Sequence, residues 1–136
     1  MKLKSFLFLC FMSLFASAFA NNQHEHPKAH STEVKRTQKS VTWPGPCEIE
    51  IINRSYDIVQ VYGEFDDGEW LRFNIPPYDA PHRISLYYYG YCHYDMFLSI
   101  DTLSGYRVYT GYPAVRTIIE VFPYLANQLK AEIKAK

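Results

Sequence analysis

The chain lacks most of the features that mark common functional classes. Its 14 basic residues are balanced by 14 acidic residues, whereas nucleic-acid-binding domains normally carry an excess of positive charge, so we do not expect DNA or RNA as a partner. Catalytic and cofactor-binding motifs are also absent, with no Gly-x-Ser-x-Gly, no His-Glu-x-x-His and no phosphate-binding glycine loop. We therefore predict a protein without enzymatic activity or cofactor. An enzyme of unrecognised type, which would need a deep pocket with convergent polar groups, stays an alternative.

Long apolar runs are scarce, and the one candidate lies at the amino terminus. Residues 1–4 are positively charged, residues 5–20 are mostly apolar, and Ala18-Phe19-Ala20 has small residues where a signal peptidase cuts. This run of 16 residues is shorter than the about 20 needed to cross a bilayer. It predicts a cleavable signal peptide over 1–20, with an uncleaved anchor as the alternative. The mature protein would be secreted or periplasmic, bacterial by the form of its signal, and without stable membrane insertion.

Cleavage after Ala20 would change the composition as well as the length. The mature chain of 116 residues would have 12 basic and 14 acidic side chains, a formal charge of −2, because Lys2 and Lys4 are removed. It would keep all twelve tyrosines but lose five of the nine phenylalanines. The exported domain is therefore rich in tyrosine.

Only three cysteines occur, and two of them remain after cleavage. An even number of cysteines in an exported chain predicts a disulfide, here between Cys47 and Cys92. This bond closes a loop of 46 residues and is worth about 4 kcal/mol in the chain-entropy account. The alternative is a reactive Cys92 activated by His93. We disfavour it because adjacent residues on a strand point to opposite faces.

Residues 21–46 contain few large apolar side chains and end in Trp43-Pro44-Gly45-Pro46. Such a segment cannot bury enough apolar surface to offset its ordering entropy, so we predict a disordered polar tail and linker. His24, His26 and His30 lie in this tail. Because imidazole binds zinc and copper, a secreted or periplasmic metal-binding protein is an alternative function. A flexible tail offers no second shell to orient such ligands, so the main prediction contains no metal site.

From Cys47 onwards, apolar residues alternate with polar ones in segments that turn residues separate. This pattern predicts an all-β domain over 47–136, an antiparallel two-sheet sandwich of about seven strands that is Ig-like or a small barrel. The segment 66–69 (Asp-Asp-Gly-Glu) fits a hairpin turn better than a calcium site, because it lacks the ligand spacing of a calcium loop. Asn53-Arg54-Ser55 matches a glycosylation sequon, which we expect on an exposed turn.

The carboxyl-terminal segment has a different pattern. Leu125, Leu129 and Ile133 recur at every fourth residue after Pro123, and lysines lie late in the segment. A proline in the first turn and lysines near the end favour a helix. We predict a short amphipathic helix over 124–134 that packs its apolar stripe on the sheets. Docking of this helix on a lipid surface is the alternative, which the narrow stripe disfavours.

The tyrosines supply the main functional hypothesis. If Ile84, Leu86 and Tyr88 face the core, the residues between them face outward, and the same rule applies to the other strands. The outward set is rich in the residue types that are enriched at binding hot spots. Its members are Trp70, Arg72, Arg83, Tyr87, Tyr89, Arg107 and Tyr109. We predict a non-catalytic module that binds a protein or a glycan through this face. Strand propensity and cross-strand aromatic pairing are the alternative explanation of the tyrosines.

Overall fold

The computed structural model describes His24, His26, Lys28, residues 44–125 and residues 128–135. The predicted signal peptide over 1–20 lies outside these residues, as do His30 and most of the predicted tail. Within the described residues the chain forms strands joined by turns, and no helix occurs. The prediction of an all-β domain is therefore confirmed.

Ten strands occur in the described part of the chain. They are β1 (Glu48–Asn53), β2 (Val59–Glu64), β3 (Trp70–Ile75), β4 (His82–Ser85), β5 (Tyr87–Tyr88), β6 (Tyr91–Cys92), β7 (Phe97–Thr102), β8 (Arg107–Gly111), β9 (Ile118–Leu125) and β10 (Gln128–Lys134).

Eight of these strands form two four-stranded sheets. Sheet 1 has the strand order β10-β9-β1-β4, and sheet 2 has the order β3-β2-β7-β8. β5 and β6 form a separate two-stranded hairpin. Ile51 and Ile119 of sheet 1 join Val61 and Ile100 of sheet 2 in one buried cluster. The two sheets therefore share a core in a sandwich-like arrangement.

The alternating sequence of β2 shows why these residues form a half-buried strand. Val59 and Val61 are fully buried, whereas Gln60 and Tyr62 are partly exposed on the opposite face. Burial of each such aliphatic side chain contributes about 1.5–3 kcal/mol relative to its exposure. A shift of β2 by one residue relative to its neighbours would expose Val59 and Val61. The alternation of apolar and polar residues therefore determines which face of sheet 2 contacts water.

One pair of strands departs from the predicted antiparallel arrangement. β1 and β9 are parallel neighbours in sheet 1, with Glu50 opposite Ile118 and Asn53 opposite Val121. The other strand pairs within the described residues are antiparallel. Because β8 lies in sheet 2 and β9 in sheet 1, the connection over 112–117 crosses between sheets and enters β9 in the direction of β1. Local alternation identifies a strand but not its partner.

The predicted helix over 124–134 is wrong, because residues 128–134 form β10. This strand pairs antiparallel with β9 and places Leu129 opposite Pro123 and Ile133 opposite Ile119. A spacing of four residues keeps side chains on one face of a helix, but it also keeps them on one face of a strand. Leu129 is buried in the shared core. Hydrogen bonding to β9 therefore stabilises this segment as a strand rather than as a helix.

The sequon over 53–55 is not on an exposed turn. Asn53 is the last residue of β1, and its side chain is fully buried. Its amide Nδ2 donates to the carbonyl oxygens of Asp57 (2.7 Å), Ile75 (3.0 Å) and Pro76 (3.1 Å). Its Oδ1 accepts from the backbone N–H (3.0 Å) and the hydroxyl (2.6 Å) of Ser55. Asn53 therefore joins three chain segments and offers no free amide to a glycosyltransferase.

Three connections meet at one end of sheet 2, which we call the upper end: β2 and β8 finish there, and β3 and β7 begin there. The turn over 65–69 lies at this end, closed by a hydrogen bond from the Phe65 N–H to the Glu69 carbonyl (2.8 Å). Asp67 Oδ1 also accepts from the Glu69 N–H (3.0 Å). The interpretation of this segment as a hairpin turn agrees with these bonds.

Candidate binding surfaces

A hairpin rich in tyrosine follows sheet 1 directly. β5 and β6 pair Tyr88 with Tyr91, so Tyr89 and Gly90 form a two-residue turn. Both turn residues have positive φ, 52° for Tyr89 and 85° for Gly90. Two positive φ angles in a two-residue hairpin loop fit a type I′ turn, in which asparagine or glycine is the favoured first residue. A tyrosine there carries a backbone strain of about 1–2 kcal/mol.

The side chains of this hairpin divide into an exposed and a packed set. We call residues 87–94 the tyrosine hairpin. Its exposed members are each more than half accessible to water: Tyr87, Tyr89, Tyr91 and Tyr94. Tyr88 and His93 stack on one another with ring centroids 3.6 Å apart, and one side of the exposed Tyr91 ring also packs on His93 at 4.2 Å. The hairpin therefore presents four phenol rings on a packed aromatic base.

The base of the tyrosine hairpin is attached to the upper end of sheet 2. Asp66 in the turn over 65–69 accepts hydrogen bonds from the Tyr88 hydroxyl and from His93 Nδ1, the latter at 2.7 Å. These two bonds hold the pKa of Asp66 below its ordinary value. Burial and the bond to Asp66 raise the pKa of Tyr88. A neutral phenol and an ionised carboxylate therefore persist together at neutral pH.

The disulfide provides a second attachment. Cys92 of β6 is bonded to Cys47, which directly precedes β1, so the predicted Cys47–Cys92 pairing is confirmed. The backbone N–H of His93 also donates to the Leu86 carbonyl (2.9 Å). Covalent and hydrogen bonds at its base leave the tyrosine hairpin little freedom to swing relative to sheet 1.

An aromatic row crosses the outer face of sheet 2 at the upper end. It consists of Trp70 on β3, Tyr62 on β2, Phe97 on β7 and Tyr112 directly after β8. Ring centroids lie 6.5 Å apart between Trp70 and Tyr62, 6.3 Å between Tyr62 and Phe97, and 5.5 Å between Phe97 and Tyr112. Trp70 is 63% exposed and Tyr112 is 70% exposed. The aromatic row therefore presents large apolar rings to water at both ends.

Polar side chains occupy the outer face behind the aromatic row. Arg72 Nη2 donates to Gln60 Oε1 (2.6 Å), and Gln60 Nε2 donates to Asn74 Oδ1 (3.2 Å). Further along, Arg107 Nε donates to Asp101 Oδ1 (2.8 Å). These bonds are exposed and add little stability. They do hold donors and acceptors in fixed positions beside the rings.

A third feature closes the side of the domain between the edge strands β3 and β4. We call His24, His26 and Lys28 the histidine arm. The His24 ring stacks on Phe65 with centroids 3.7 Å apart, and its Nε2 lies 3.3 Å from Asp67 Oδ2. Only 8% of the His24 side chain is exposed. This position was predicted as solvated tail, and the contacts instead place it against the domain.

The rest of the histidine arm bridges the two sheets. The His26 ring stacks on Phe73 of β3 at 3.5 Å and lies 5.7 Å from the His82 ring of β4. Lys28 forms an antiparallel bridge with His82, and its Nζ donates to Asp79 Oδ2 (3.0 Å). His26 and Lys28 therefore connect the edge strands of the two sheets.

Burial keeps His26 and His82 neutral. It lowers the pKa of His26, and the nearby His82 and Lys28 lower it further. Burial also lowers the pKa of His82, and the hydrogen bond to Asp79 opposes this effect in part. Hydrogen bonds, first of all from Lys28, lower the pKa of Asp79 to about 2. At neutral pH, uncharged imidazole rings therefore pack on Phe73 while Lys28 pairs with an ionised carboxylate.

The residues of the predicted binding face lie in separate places. Trp70, Arg72 and Arg107 lie on the outer face of sheet 2, as alternation implied. Tyr87 and Tyr89 are exposed, but they belong to the tyrosine hairpin rather than to a sheet face. The structure thus brings part of the predicted set to the upper end of sheet 2.

Two predicted members lie elsewhere. Arg83 lies on sheet 1, where its Nε donates to Oε2 of the buried Glu50 (2.9 Å). Tyr109 pairs with Ile100 and packs against the core, so the prediction that Tyr109 faces outward is wrong. A register shift between Ile100 and Asp101 reverses the parity of β8 at this point. Burial raises the pKa of the Tyr109 phenol.

Sequence reasoning also missed residues that the structure brings together. Phe97 and Tyr62 complete the middle of the aromatic row, and both point outward by the alternation rule. The signal for Phe97 was available, because it lies between the buried Met96 and Leu98. Tyr112 follows β8 after the register shift, so strand parity could not place it.

No group of three or more histidine, cysteine, aspartate or glutamate side chains suited to a metal ion occurs in residues 44–125, 128–135 or the histidine arm. His24 and His26 stack on Phe65 and Phe73, respectively. Their ring faces are therefore used in packing. Metal binding by the tail, which included His30, stays a prediction.

Within the described residues, no helix has the length and apolar character needed to span a bilayer. Comparison with known proteins finds no matching family model, no similar curated protein and no similar solved structure.

Proposed function

We propose that the protein is an exported, non-catalytic recognition module that binds another macromolecule with the aromatic surface at the upper end of sheet 2. This surface has two parts, the tyrosine hairpin and the aromatic row. The observation that carries the proposal is the exposure of Tyr87, Tyr89, Tyr91 and Tyr94 on a hairpin that is fixed at its base. Tyrosine supplies a large contact area at a low cost in side-chain entropy, and ordered loops rich in tyrosine suit recognition.

Strand propensity alone does not account for these tyrosines. It favours tyrosine within a paired ladder, where cross-strand contacts stabilise the sheet. Tyr89, however, occupies a turn position with φ of 52°, which asparagine or glycine would fill with less strain. Pairing within a sheet therefore does not explain the tyrosine at this turn. Its ring lies edge to face with the Tyr88 ring, with centroids 5.6 Å apart, and leaves most of its surface exposed to water, where a partner can reach it.

The disulfide supports the exported location. Structural disulfides persist in oxidising compartments such as the periplasm and the extracellular space. The bond between Cys47 and Cys92 also anchors the tyrosine hairpin. A rigid base lowers the entropy lost on binding. The same bond thus supports both the exported location and a low entropy cost of binding.

The test compares two triple variants that remove equal numbers of exposed phenol rings. The hairpin variant replaces Tyr87, Tyr89 and Tyr91 by serine. The control variant replaces three exposed tyrosines at the opposite end of the strands, Tyr56, Tyr78 and Tyr124. Each immobilised protein is incubated with envelope and secreted fractions of the producing cells, and bound proteins and polysaccharides are quantified.

We expect the wild type and the control variant to retain the same partner in similar amounts. The hairpin variant should retain at least about tenfold less of it, since hot-spot tyrosines each contribute above about 1 kcal/mol to binding. Far-UV circular dichroism establishes that both variants are folded. Equal retention by both variants, or no specific retention by the wild type, would refute the proposed function.

A further inference from the structure

We infer that the aromatic row is a binding site for a neutral oligosaccharide. This inference rests on the proposed function and assigns a ligand class to one part of its surface. The row has three features that suit a sugar chain: aromatic rings that follow one another across the sheet, hydrogen-bonding groups beside them, and no excess of positive charge.

The first feature is linear extent. The four rings come from four adjacent strands, and neighbouring strands lie about 4.8 Å apart, so the row extends for about 14 Å across the sheet. Consecutive ring centroids are separated by 5.5–6.5 Å. This length suits a short chain of linked sugar rings rather than one ring. The row is also a single ring wide, whereas a protein partner would need roughly 800 Å² on each side.

The second feature is the pairing of apolar and polar groups. One face of a pyranose ring carries C–H bonds that pack against aromatic rings, and its edges carry hydroxyl groups. Trp70 and Tyr112 expose most of their ring surface for the first contact. Arg72, Gln60 and Asn74 lie directly behind the row, joined by hydrogen bonds of 2.6 and 3.2 Å. Polar groups fixed beside an apolar surface give a ligand orientation and specificity.

The third feature is the lack of an excess of positive charge. On the outer face of the strands, Arg72 and Arg107 are matched by Glu64 and Asp101. The exposed turn over 65–69, which directly precedes the row, adds three acidic residues. A polyanion would therefore gain no electrostatic attraction to the row, whereas an uncharged glycan requires none.

The test uses Trp70 as a reporter. Trp43 is the other tryptophan of the chain, so Trp43→Phe leaves Trp70 as the sole source of tryptophan fluorescence. This variant is titrated with hexasaccharides of β-1,4-linked glucose and of β-1,4-linked N-acetylglucosamine, and with neutral and acidic polysaccharides isolated from the producing cells. Native gels containing each polysaccharide measure retardation independently. We expect saturable quenching by at least one neutral glycan and little change in affinity when salt is raised.

Matched variants locate the site. In the same Trp43→Phe background, Tyr112→Ala removes one ring of the row, and Tyr124→Ala removes a ring of similar exposure on sheet 1. Phe97→Ala removes the middle of the row. We expect the two row variants to weaken glycan binding by at least about tenfold and Tyr124→Ala to leave it unchanged. The thermal transition of each variant establishes that it is folded.

Several outcomes overturn the inference. They are failure of every neutral glycan to quench or retard the protein, binding of acidic polysaccharides alone with strong salt dependence, and equal weakening by Tyr124→Ala. Loss of a protein partner in the row variants, without any glycan binding, also overturns it. In each case the hairpin variant decides the proposed function separately, because none of its substitutions lies in the aromatic row.

Discussion

Acidification should release the histidine arm from the domain. The arm is held by neutral rings, since His26 stacks on Phe73 and lies 5.7 Å from His82. The pKa values of both histidines are below the ordinary 6.5. An undocked His26 therefore binds protons more tightly than a docked one. Docking is strongest above about pH 6.5 and weakens as the pH falls toward the lowered pKa values.

The size of the effect follows from the distance between the rings. Two unit charges 5.7 Å apart repel by about 3 kcal/mol at an effective dielectric constant of about 20. Lys28 adds repulsion, and Asp79, which lies 3.2 Å from His82 Nε2, offsets part of it. Three kilocalories correspond to about a hundredfold change in the docking equilibrium. The Lys28 side chain is 58% exposed, so its ion pair with Asp79 contributes at most about 1 kcal/mol against release.

Nuclear magnetic resonance of the ring protons measures this directly. At about pH 7.5 we expect a nuclear Overhauser effect between the rings of His26 and Phe73, and at about pH 5 we expect its loss together with faster amide exchange in the arm. The variant His26→Phe keeps the stacking surface but cannot be protonated. Its arm should exchange more slowly at the acidic pH than that of the wild type.

Two results would refute this reasoning. One is a titration in which His26 and His82 gain protons at or above the ordinary pKa. The other is an arm that stays docked at about pH 5 with both rings charged. Either result would mean that neutral-ring packing does not hold the arm in place.

Three further predictions concern stability and the hairpin. Replacing Cys47 and Cys92 by serine should lower the free energy of unfolding by about 4 kcal/mol, measured by urea denaturation, and an unchanged midpoint would contradict the role of the bond. Asn53→Ala should lower it by at least about 3 kcal/mol, because buried carbonyl groups lose their donor; Asn53→Asp, which keeps the size but loses the donor, should be no better. Tyr89→Asn should raise it by up to about 1 kcal/mol by relieving the turn while weakening partner capture, and a stability loss would show that Tyr89 supports the fold.

Alternation was sufficient to predict β2, β3 and the outward position of Trp70. These strands have one buried face, so the period of two in their sequence is physically required. The disulfide was equally predictable, because only two cysteines lie beyond the predicted signal peptide and they allow one pairing. Local alternation and the number of cysteines can both be read from a single sequence without knowledge of the tertiary structure.

Tertiary contacts decided what the sequence could not. β10 has the residue spacing of a helix, yet it forms a strand because it pairs with the edge of β9. Tyr109 points inward because of a register shift that no residue type in the sequence indicates. His24 and His26 are polar by composition, but Phe65 and Phe73 offer them flat apolar partners. In each case the deciding group is distant in sequence.

The parallel pair of β1 and β9 determines the order in which the molecule can be assembled. Glu50 and its partner Ile118 are 68 positions apart, and such distant contacts slow folding because long loops must close first. The middle of sheet 1 therefore stays incomplete until residues as far as β9 are available to fold. Both cysteines of the bond precede β9. The disulfide can thus form before the last two strands have joined the sheet.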